Sequence, residues 1–316
     1  MKTIKLTHPH TLKMEELPET VTAIGFFDGI HRGHQKVINT AVNFAKENNM
    51  ESAVITFHPH PSVVLSKGRK KVNYITPLKE KQSILQHMAV DRLYIIEFNE
   101  KLASLSPQEF IDEFIINLNI KHVVAGFDFT YGHKGQGNMT TIKGQTRDQF
   151  TYTTINEVQS DNQKVSSTLI RHLLKEGEIE QVNHLLGRPL SIYGRVVEGS
   201  KRGRTIGYPT ANLKVDEQAI LPKPGIYAVE VVYKNEKYEG MASLGTNPTF
   251  SENQNLSLEV NILDFNDNLY GEELKMEWFK YIREEIKFLN ADELVEQIKH
   301  DEITIRSFLN PKDTLN

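Results

Sequence analysis

The sequence predicts an α/β domain with a mainly parallel sheet, followed by a small antiparallel β-barrel and a terminal helix. Three observations predict it. At 316 residues the chain exceeds the usual size of a single domain. Up to about Gly187, short β-branched or aromatic runs alternate with segments of helical period, the pattern of strands covered on both faces by helices. Beyond "LLGRP" (Leu185–Pro189) strand-like runs follow one another through turn residues with no helix between them, as in a small antiparallel barrel. The expected domains are residues 1–186 and 187–316.

In the first domain the expected strands are "VTAIGFF" (Val21–Phe27), "SAVITF" (Ser52–Phe57), "RLYII" (Arg92–Ile96) and "HVVAGF" (His122–Phe127). Between the first two, Val37, Ile38, Ala41, Phe44 and Ala45 recur at helical spacing. Ser106, Pro107 and Glu109 supply an N-cap, a proline at the first helical position and a capping-box glutamate for a helix through "EFIDEFIINL". In the second domain "LSIYGRVVE", "GIYAVEVVY", "KYEGMASL", "LSLEVNIL" and "KMEWFKYI" are the strands. Tyr227, Val229 and Val231 share one strand face, and "KNEK" turns the chain. The terminal helix is expected over Ala291–Phe308, anchored by Leu294, Ile298, Ile303 and Ile305.

Charge and composition exclude several function classes. With 37 basic against 41 acidic residues the net charge is -4, which argues against a protein that neutralises a nucleic-acid backbone. The chain has no cysteine, so disulfides, thiolate zinc sites and cysteine nucleophiles are absent. The first twenty residues lack a signal-peptide apolar core, and no run approaches the roughly 18 apolar residues of a membrane span. The expectation is a cytoplasmic protein with no membrane partner.

The chemistry of the first domain concentrates in "GFFDGIHRGHQ" (Gly25–Gln35). Gly25–Phe27 are expected to finish a strand, Asp28–Gly33 to form a tight loop, and His34 to enter the next helix. Unpaired N–H groups and the positive end of the helix dipole favour an anion there. His31 and His34, three apart, can point to one place and donate hydrogen bonds to phosphoryl oxygens, and Gly33 lets those oxygens approach the backbone. No Asp, Glu or Cys at ligand spacing completes a tetrahedral metal set. The composition gives roughly 0.03 chance occurrences of H-x-G-H, so the spacing carries information, with structural histidines as the alternative. "SSTLIR" (Ser166–Arg171) places hydroxyls at a helix start with an arginine behind them, either a second oxyanion site or an ordinary N-cap with a surface arginine.

Two further stretches bear on ligands. "AGFDFTYGHKGQGN" (Ala125–Asn138) has glycines at a spacing that is not the dinucleotide fingerprint, and no P-loop exists in the chain. Phe127, Phe129 and Tyr131 alternate, a pattern that serves either to stack a ligand ring or to pack a core. In "GRTIGYPTANL" (Gly203–Leu213), Thr210 and Asn212 face the same way on an extended segment and offer hard oxygen atoms suited to Mg2+ beside nucleotide phosphates. Glu259 stands in a strand pattern otherwise sparse in polar side chains. "DFNDNLYG" is excluded as a calcium loop because Leu269 occupies the position that needs glycine.

The H-x-G-H and "SSTLIR" segments resemble the two signatures of the nucleotidyltransferase superfamily. With "TFHPHP", "GFDFTYG", "LLGRP", "GRVVEGSKRGRTIGYPTANL", "GTNPTF" and "LEVNILDFNDNLYG" in order, the chain resembles the prokaryotic bifunctional riboflavin kinase/FAD synthetase family along nearly its whole length. The resemblance implies a Rossmann-like nucleotidyltransferase domain with a parallel sheet, then a six-stranded antiparallel barrel and a C-terminal helix. It implies ATP-dependent phosphorylation of riboflavin to FMN, then adenylylation of FMN to FAD with release of pyrophosphate. ATP is then a co-substrate, Mg2+ the metal, and FMN and FAD are products, not prosthetic groups.

Carried onto this sequence, the resemblance makes His31 and His34 catalytic contacts for the adenylyl transfer. Gly25, Phe27, Asp28, Gly33, Ser167, Thr168 and Arg171 are the expected ATP contacts of the first module, and Gly203 and Arg204 those of the second. Asp128, Phe129 and Tyr131 are expected near the flavin. Thr210 and Asn212 would ligate Mg2+, and Glu259 would take the proton of the ribityl 5′-hydroxyl. Asn261 stands where the family often has histidine, and His58 where it commonly has an acid. The rival readings are a chain with one decayed module and a non-catalytic flavin or nucleotide sensor; the intact polar residues of both modules favour catalysis.

Overall fold

The computed structural model describes residues 1–66, 69, 71–160, 163–199, 203, 206–246 and 256–310. The chain divides into two compact units, Met1–Ser167 and Thr168–Asn316. Among the described residues no helix is long and apolar enough to cross a membrane.

The first unit is built on strands β1 (Lys2–Leu6), β2 (Thr20–Ile24), β3 (Glu51–His58), β4 (Arg92–Glu97) and β5 (Ile120–Gly126). After β5 comes a two-residue antiparallel ladder of β6 (Thr130–Tyr131) and β7 (Gly137–Asn138), and β8 (Thr151–Ile155) completes the sheet. Its order is β1-β4-β3-β2-β5-β8, and every pairing is parallel. A last small ladder joins β9 (Gln159–Ser160) to β10 (Gln163–Lys164).

Both faces of this sheet are covered, so the inner strands are buried on both sides and mostly apolar, with Thr20, Thr22, Ser52, Thr56 and His122 as buried polar residues among them. Ile24, Ile55, Tyr94, Ile96 and Val123 enter one core, and Val21, Ala23, Val54, Leu93 and Val124 enter the other. Helix α1 (Arg32–Glu47) closes the second core with Val37, Ile38, Ala41 and Ala45, the residues whose spacing predicts it. Short helices α2 (Pro61–Leu65), α3 (Leu78–His87) and α4 (Glu100–Ser104) follow. Helix α5 (Pro107–Ile111) opens on the expected Ser106–Glu109 capping box and runs on as a π-helical turn, Asp112–Ile116, that brings Phe114 into the first core.

The strand order reverses at β2, with β3 on one side and β5 on the other. Ligands of such sheets bind beyond the carboxyl ends of the strands at this reversal. The strand predicted through Phe27 stops at Ile24, because Phe27 (φ 51°), Gly29 (φ 89°) and Ile30 (φ 40°) take left-handed backbone and turn the chain out of the sheet. Gly33, expected in the loop, is already inside α1.

Helix α6 (Ser167–Glu176) begins at the division between the units, and α7 (Ile179–Leu186) follows it. Six strands then close an antiparallel barrel: β11 (Leu190–Val197), β12 (Ala211–Val215), β13 (Gly225–Tyr233), β14 (Glu236–Thr246), β15 (Leu256–Ile262) and β16 (Glu273–Arg283). Their order is β11-β12-β15-β14-β13-β16, and pairing of β11 with β16 removes the open edge. Tyr227, Val229 and Val231 are fully buried, as their alternation requires, and the Tyr227 ring meets Trp278 edge-on at 4.9 Å. The β13–β14 hairpin turns on Lys234 (φ 49°) and Asn235 (φ 66°), two left-handed residues in succession that match the strand twist.

Helix α8 (Ala291–Leu309) is capped by Asn290, whose side chain accepts from the Glu293 N–H at 2.9 Å. Ile298, Ile305 and Phe308 pack on the barrel, but Ile303 is 66% exposed and is not an anchor. The inward stripe runs 294, 298, 301, 305, 308, and its middle member is Asp301, which is 1% exposed and accepts from the Arg283 guanidinium at 2.6–3.0 Å. The ion pair, not an isoleucine, fills the missing helical position.

Candidate functional site

Each unit contains one constellation built by its own backbone. In the first, the turn after β2 is held from several sides. The Asp28 carboxylate is buried and accepts from the N–H groups of Ile75 (3.3 Å) and Thr76 (3.0 Å). The Asp28 carbonyl accepts from the Ser167 hydroxyl at 2.8 Å, which brings the start of the second signature onto the first. Gln35 donates to the Ile30 carbonyl at 2.8 Å. The Phe27 ring folds over Gly25, where a Cβ would stand 3.0 Å from it.

His31 is the N-cap of α1, and its Nδ1 accepts from the His34 N–H at 3.3 Å. In the neutral ring this leaves the proton on Nε2, which can donate outward. Gly33 permits the cap, because a Cβ there would lie 3.1–3.2 Å from the His31 ring. The His31 and His34 rings stack with centroids 3.6 Å apart, and Phe27 meets His34 edge-on at 5.3 Å. Burial holds the His34 pKa well below the usual imidazole value, with His31 and Lys81 adding to the effect. Burial therefore favours the neutral imidazole at His34.

Other expected contacts of the first module are placed as follows. Thr168 and Arg171 continue α6 after Ser167. Asp128 is exposed and pairs with Lys164 at 3.3 Å. Phe129 and Tyr131 stack on each other at 5.7 Å and join the first core; Tyr131 is 5% exposed and its hydroxyl donates to Gln145. Phe127 is 44% exposed, with the Lys164 ammonium 4.7 Å from its ring centroid. The alternation read from 127 to 131 is broken because the chain leaves β5 at Gly126.

In the barrel, β12 pairs with β15 so that Asn212 lies opposite Glu259. Thr210, two residues before Asn212, donates to Glu259 Oε2 at 2.9 Å. These three oxygen-bearing side chains share one face of the sheet. A cavity of about 620 Å³ has a mixed lining, with Thr210, Asp267 and Asn268 on its polar side and Val196, Ile262 and Phe265 on its apolar side. A second, of about 320 Å³, lies between barrel and α8 and is lined by Thr210, Glu259, Met241, Phe288 and Ile298. Thr210 borders both. Gly203 lines the smaller cavity and accepts from the Tyr208 N–H at 2.9 Å; Arg204 lies outside the described residues.

Several residues of this site escaped the sequence reading. Asn261, noted only as a departure, is buried and donates to the Pro209 carbonyl at 2.7 Å, fixing the segment that carries Thr210. Tyr208 donates to Glu302 on α8 at 3.3 Å. The period-two position of Asn261 beside Glu259 was the available signal for the first; nothing local to the sequence marks the second. Among the described residues no group of three or more His, Cys, Asp or Glu stands ready to hold a metal. The oxygens of Thr210, Asn212 and Glu259 fit Mg2+, which takes few protein ligands and completes its shell with water and phosphate.

Comparison with known proteins matches both halves. Residues 13–169 match the FAD synthetase family and residues 186–309 the riboflavin kinase family. The bifunctional riboflavin kinase/FMN adenylyltransferase of Bacillus subtilis (strain 168) is 47% identical over 98% of this chain and 99% of its own length. That of Listeria monocytogenes is 46% identical over 98% of each. A crystal structure from Streptococcus pneumoniae, titled a macrolide-efflux protein, matches with a TM-score of 0.86 at 35% identity, covering 97% of this chain and 99% of that one.

Proposed function

Since the chain belongs to the bifunctional riboflavin kinase/FMN adenylyltransferase family, we propose that its two activities divide between the two constellations, riboflavin kinase at Glu259 and FMN adenylyltransferase at the His31–His34 turn. The kinase module is then residues 187–316 and the adenylyltransferase module residues 1–186. The enzyme converts riboflavin and ATP to FMN, and FMN and ATP to FAD.

The observation that carries the kinase assignment is the Thr210–Glu259 hydrogen bond at the residue shared by the two barrel cavities. The larger cavity, which carries Thr210 and Asn268, suits the nucleotide, and the cavity under α8, with Met241, Phe288 and Ile298, suits the flavin ring. Glu259 takes the proton of the ribityl 5′-hydroxyl as its oxygen bonds to the γ-phosphorus and the bond to the β-phosphate oxygen breaks, leaving ADP. Thr210 and Asn212 would hold Mg2+ there; the ion, when bound, neutralises phosphate charge. Asn261 keeps the Thr210 segment in place through the Pro209 carbonyl.

At the other site the nucleophile is the FMN phosphate, already ionised at neutral pH, so no general base is needed. An FMN phosphate oxygen bonds to the α-phosphorus of ATP and pyrophosphate leaves. His31 Nε2–H and His34 donate to the oxygens on which charge builds, and Ser167, held at the turn through the Asp28 carbonyl, contacts the triphosphate. Gly25, Phe27, Asp28 and Gly33 shape the turn, with Asp28 acting through its backbone and its hold on Ile75 and Thr76. Asp128 and Phe129 are the flavin-side residues of this reading, and Tyr131 supports them from the core.

The test is to incubate the purified protein with riboflavin and ATP over a Mg2+ titration and separate the flavins by chromatography. FMN and then FAD are expected. Asn212→Ala should raise the Mg2+ needed for half-maximal FMN formation several-fold and leave that for FAD formation from supplied FMN unaltered. An unchanged Mg2+ requirement for FMN formation removes Asn212 as a ligand.

A further inference from the structure

The first unit buries an ammonium that none of the roles above uses. Lys81 lies on α3 with 4% of its surface exposed, in a stretch, "LKEKQ", whose charges otherwise suit a solvated helix face. Its Nζ donates to the Phe26 carbonyl at 2.7 Å and to Thr56 Oγ1 at 3.1 Å. The Thr56 hydroxyl donates to the same carbonyl at 2.9 Å. The ammonium stands 4.8 Å from the centroid of the Phe26 ring. The titratable groups whose charge it feels or perturbs are Asp28 and His34. Burying an ammonium against neutral oxygens is costly, and such placements concentrate where a fixed charge serves the chemistry.

We infer that Lys81 is a positioning residue for adenylyl transfer: by gripping the Phe26 carbonyl it fixes the left-handed turn that carries His31 and His34, and its ammonium sets a positive charge beside the histidine pair. Phe26 immediately precedes Phe27 (φ 51°), so its carbonyl is the last backbone group before the chain reverses. Thr56, at the end of β3, ties that carbonyl to the sheet, and Lys81 ties it to α3. The charge also helps keep His34 unprotonated, which divides the work: lysine supplies the field and the imidazoles supply the hydrogen bonds. This inference rests on placing adenylyl transfer at the His31–His34 turn.

The full-length Lys81→Met protein, which keeps side-chain length and loses the charge, separates these roles. Its kcat for FAD formation from FMN and ATP is expected to fall at least 100-fold with KM for FMN changed less than threefold, while FMN formation from riboflavin stays within twofold of wild type. The His34 imidazole, followed by NMR, is expected to protonate at higher pH than in the wild type, and Lys81→Arg, which keeps the charge, is expected to leave that titration nearer the wild-type position. FAD formation within threefold of wild type, or an unshifted His34 titration, overturns the inference. Should Lys81→Met unfold, Thr56→Val, nearly isosteric, removes the second hold on the carbonyl; a five- to tenfold drop in kcat supports the inference and a value within twofold of wild type overturns it. His31→Ala with His34→Ala, assayed alongside, tests the premise. If that variant still makes FAD, the placement of the site fails; if it makes none while Lys81→Met is unaffected, only the role of Lys81 fails.

Discussion

The α/β unit and the barrel build their proposed phosphate sites in opposite ways. In the α/β unit the functional groups sit on one reversing turn, whose left-handed residues Phe27, Gly29 and Ile30 are held by buried polar contacts from β3, α3, the Ile75–Thr76 segment and Ser167. In the barrel Asn212 and Glu259 come from paired strands whose register sets them opposite each other, and Thr210, just before β12, is held beside them by its bond to Glu259 and by the Asn261 hold on the Pro209 carbonyl. The difference follows the chemistry. Attack by an already ionised phosphate needs fixed donors and charge, which a rigid turn gives; attack by a hydroxyl needs a base at the join of two cavities, which an exposed strand face gives.

The largest expected effect breaks the first site alone. His31→Ala with His34→Ala removes both imidazole donors, and one such donor is commonly worth about 10²–10³ in rate, so FAD formation should fall by at least about 10³-fold. FMN should accumulate at the wild-type rate in the same tube, read by flavin chromatography. Joint loss of both activities would contradict separate sites.

Glu259→Gln should do the converse on a slightly smaller scale. General-base catalysis typically contributes about 10²–10⁴-fold, and the amide keeps the hydrogen bond to Thr210, so FMN formation should fall by about 10²-fold or more. Riboflavin binding and FAD formation from supplied FMN should be preserved. Unchanged kinase turnover removes this carboxylate from the mechanism.

A pH series sharpens the comparison at lower amplitude. Burial pulls the Lys81 pKa from about 10.5 down to about 8, with Asp28 opposing the fall. FAD formation should therefore decline as pH rises through about 8, when the positive charge is lost, while FMN formation shows no such inflection. Stability moves the other way. Between about 8 and 10.5 the unfolded chain holds the Lys81 proton that the folded unit has released, so unfolding becomes harder as pH rises, by up to about 3 kcal/mol over that window. For His34 the depressed pKa means the unfolded chain protonates first, so the first unit should lose stability as pH falls below about 6.5. Activity and melting temperature moving together above pH 8 would count against the buried ammonium.

The contrast also explains what could be read from the sequence. The Thr210–Asn212 face was legible because a period of two makes those side chains neighbours, whereas Glu259 was drawn to it by the family resemblance, and its place opposite Asn212 depends on the β12–β15 register. The H-x-G-H turn was legible as a motif, but its supports were not: Lys81 is 47 residues from His34, inside charges that suit solvent, and only the fold turns it inward. Asp301 broke the apolar stripe of α8 for the same reason, since its partner Arg283 lies on another element. Phe129 and Tyr131 were ambiguous because alternation outside a continuous strand no longer assigns a face.

The smallest expected effect tests how finely the barrel site is set. Gly199 follows β11, and a Cβ there would stand 2.1 Å from the Asn212 Nδ2 and 2.7 Å from its Oδ1, closer than atoms can approach. Backbone conformation is not the constraint, because Gly199 does not take a left-handed φ. Gly199→Ala should therefore leave the barrel folded and push the Asn212 amide aside, since a side-chain end yields more readily than paired strands. The Mg2+ requirement for FMN formation should rise about two- to fivefold, less than in Asn212→Ala, in keeping with a ligand displaced instead of deleted. FAD formation from supplied FMN should not change. Combining Gly199→Ala with Asn212→Ala should add nothing to the Asn212→Ala effect, because the methyl group would then have no amide to displace; an additive increase would mean that Gly199 serves some contact other than the one with Asn212.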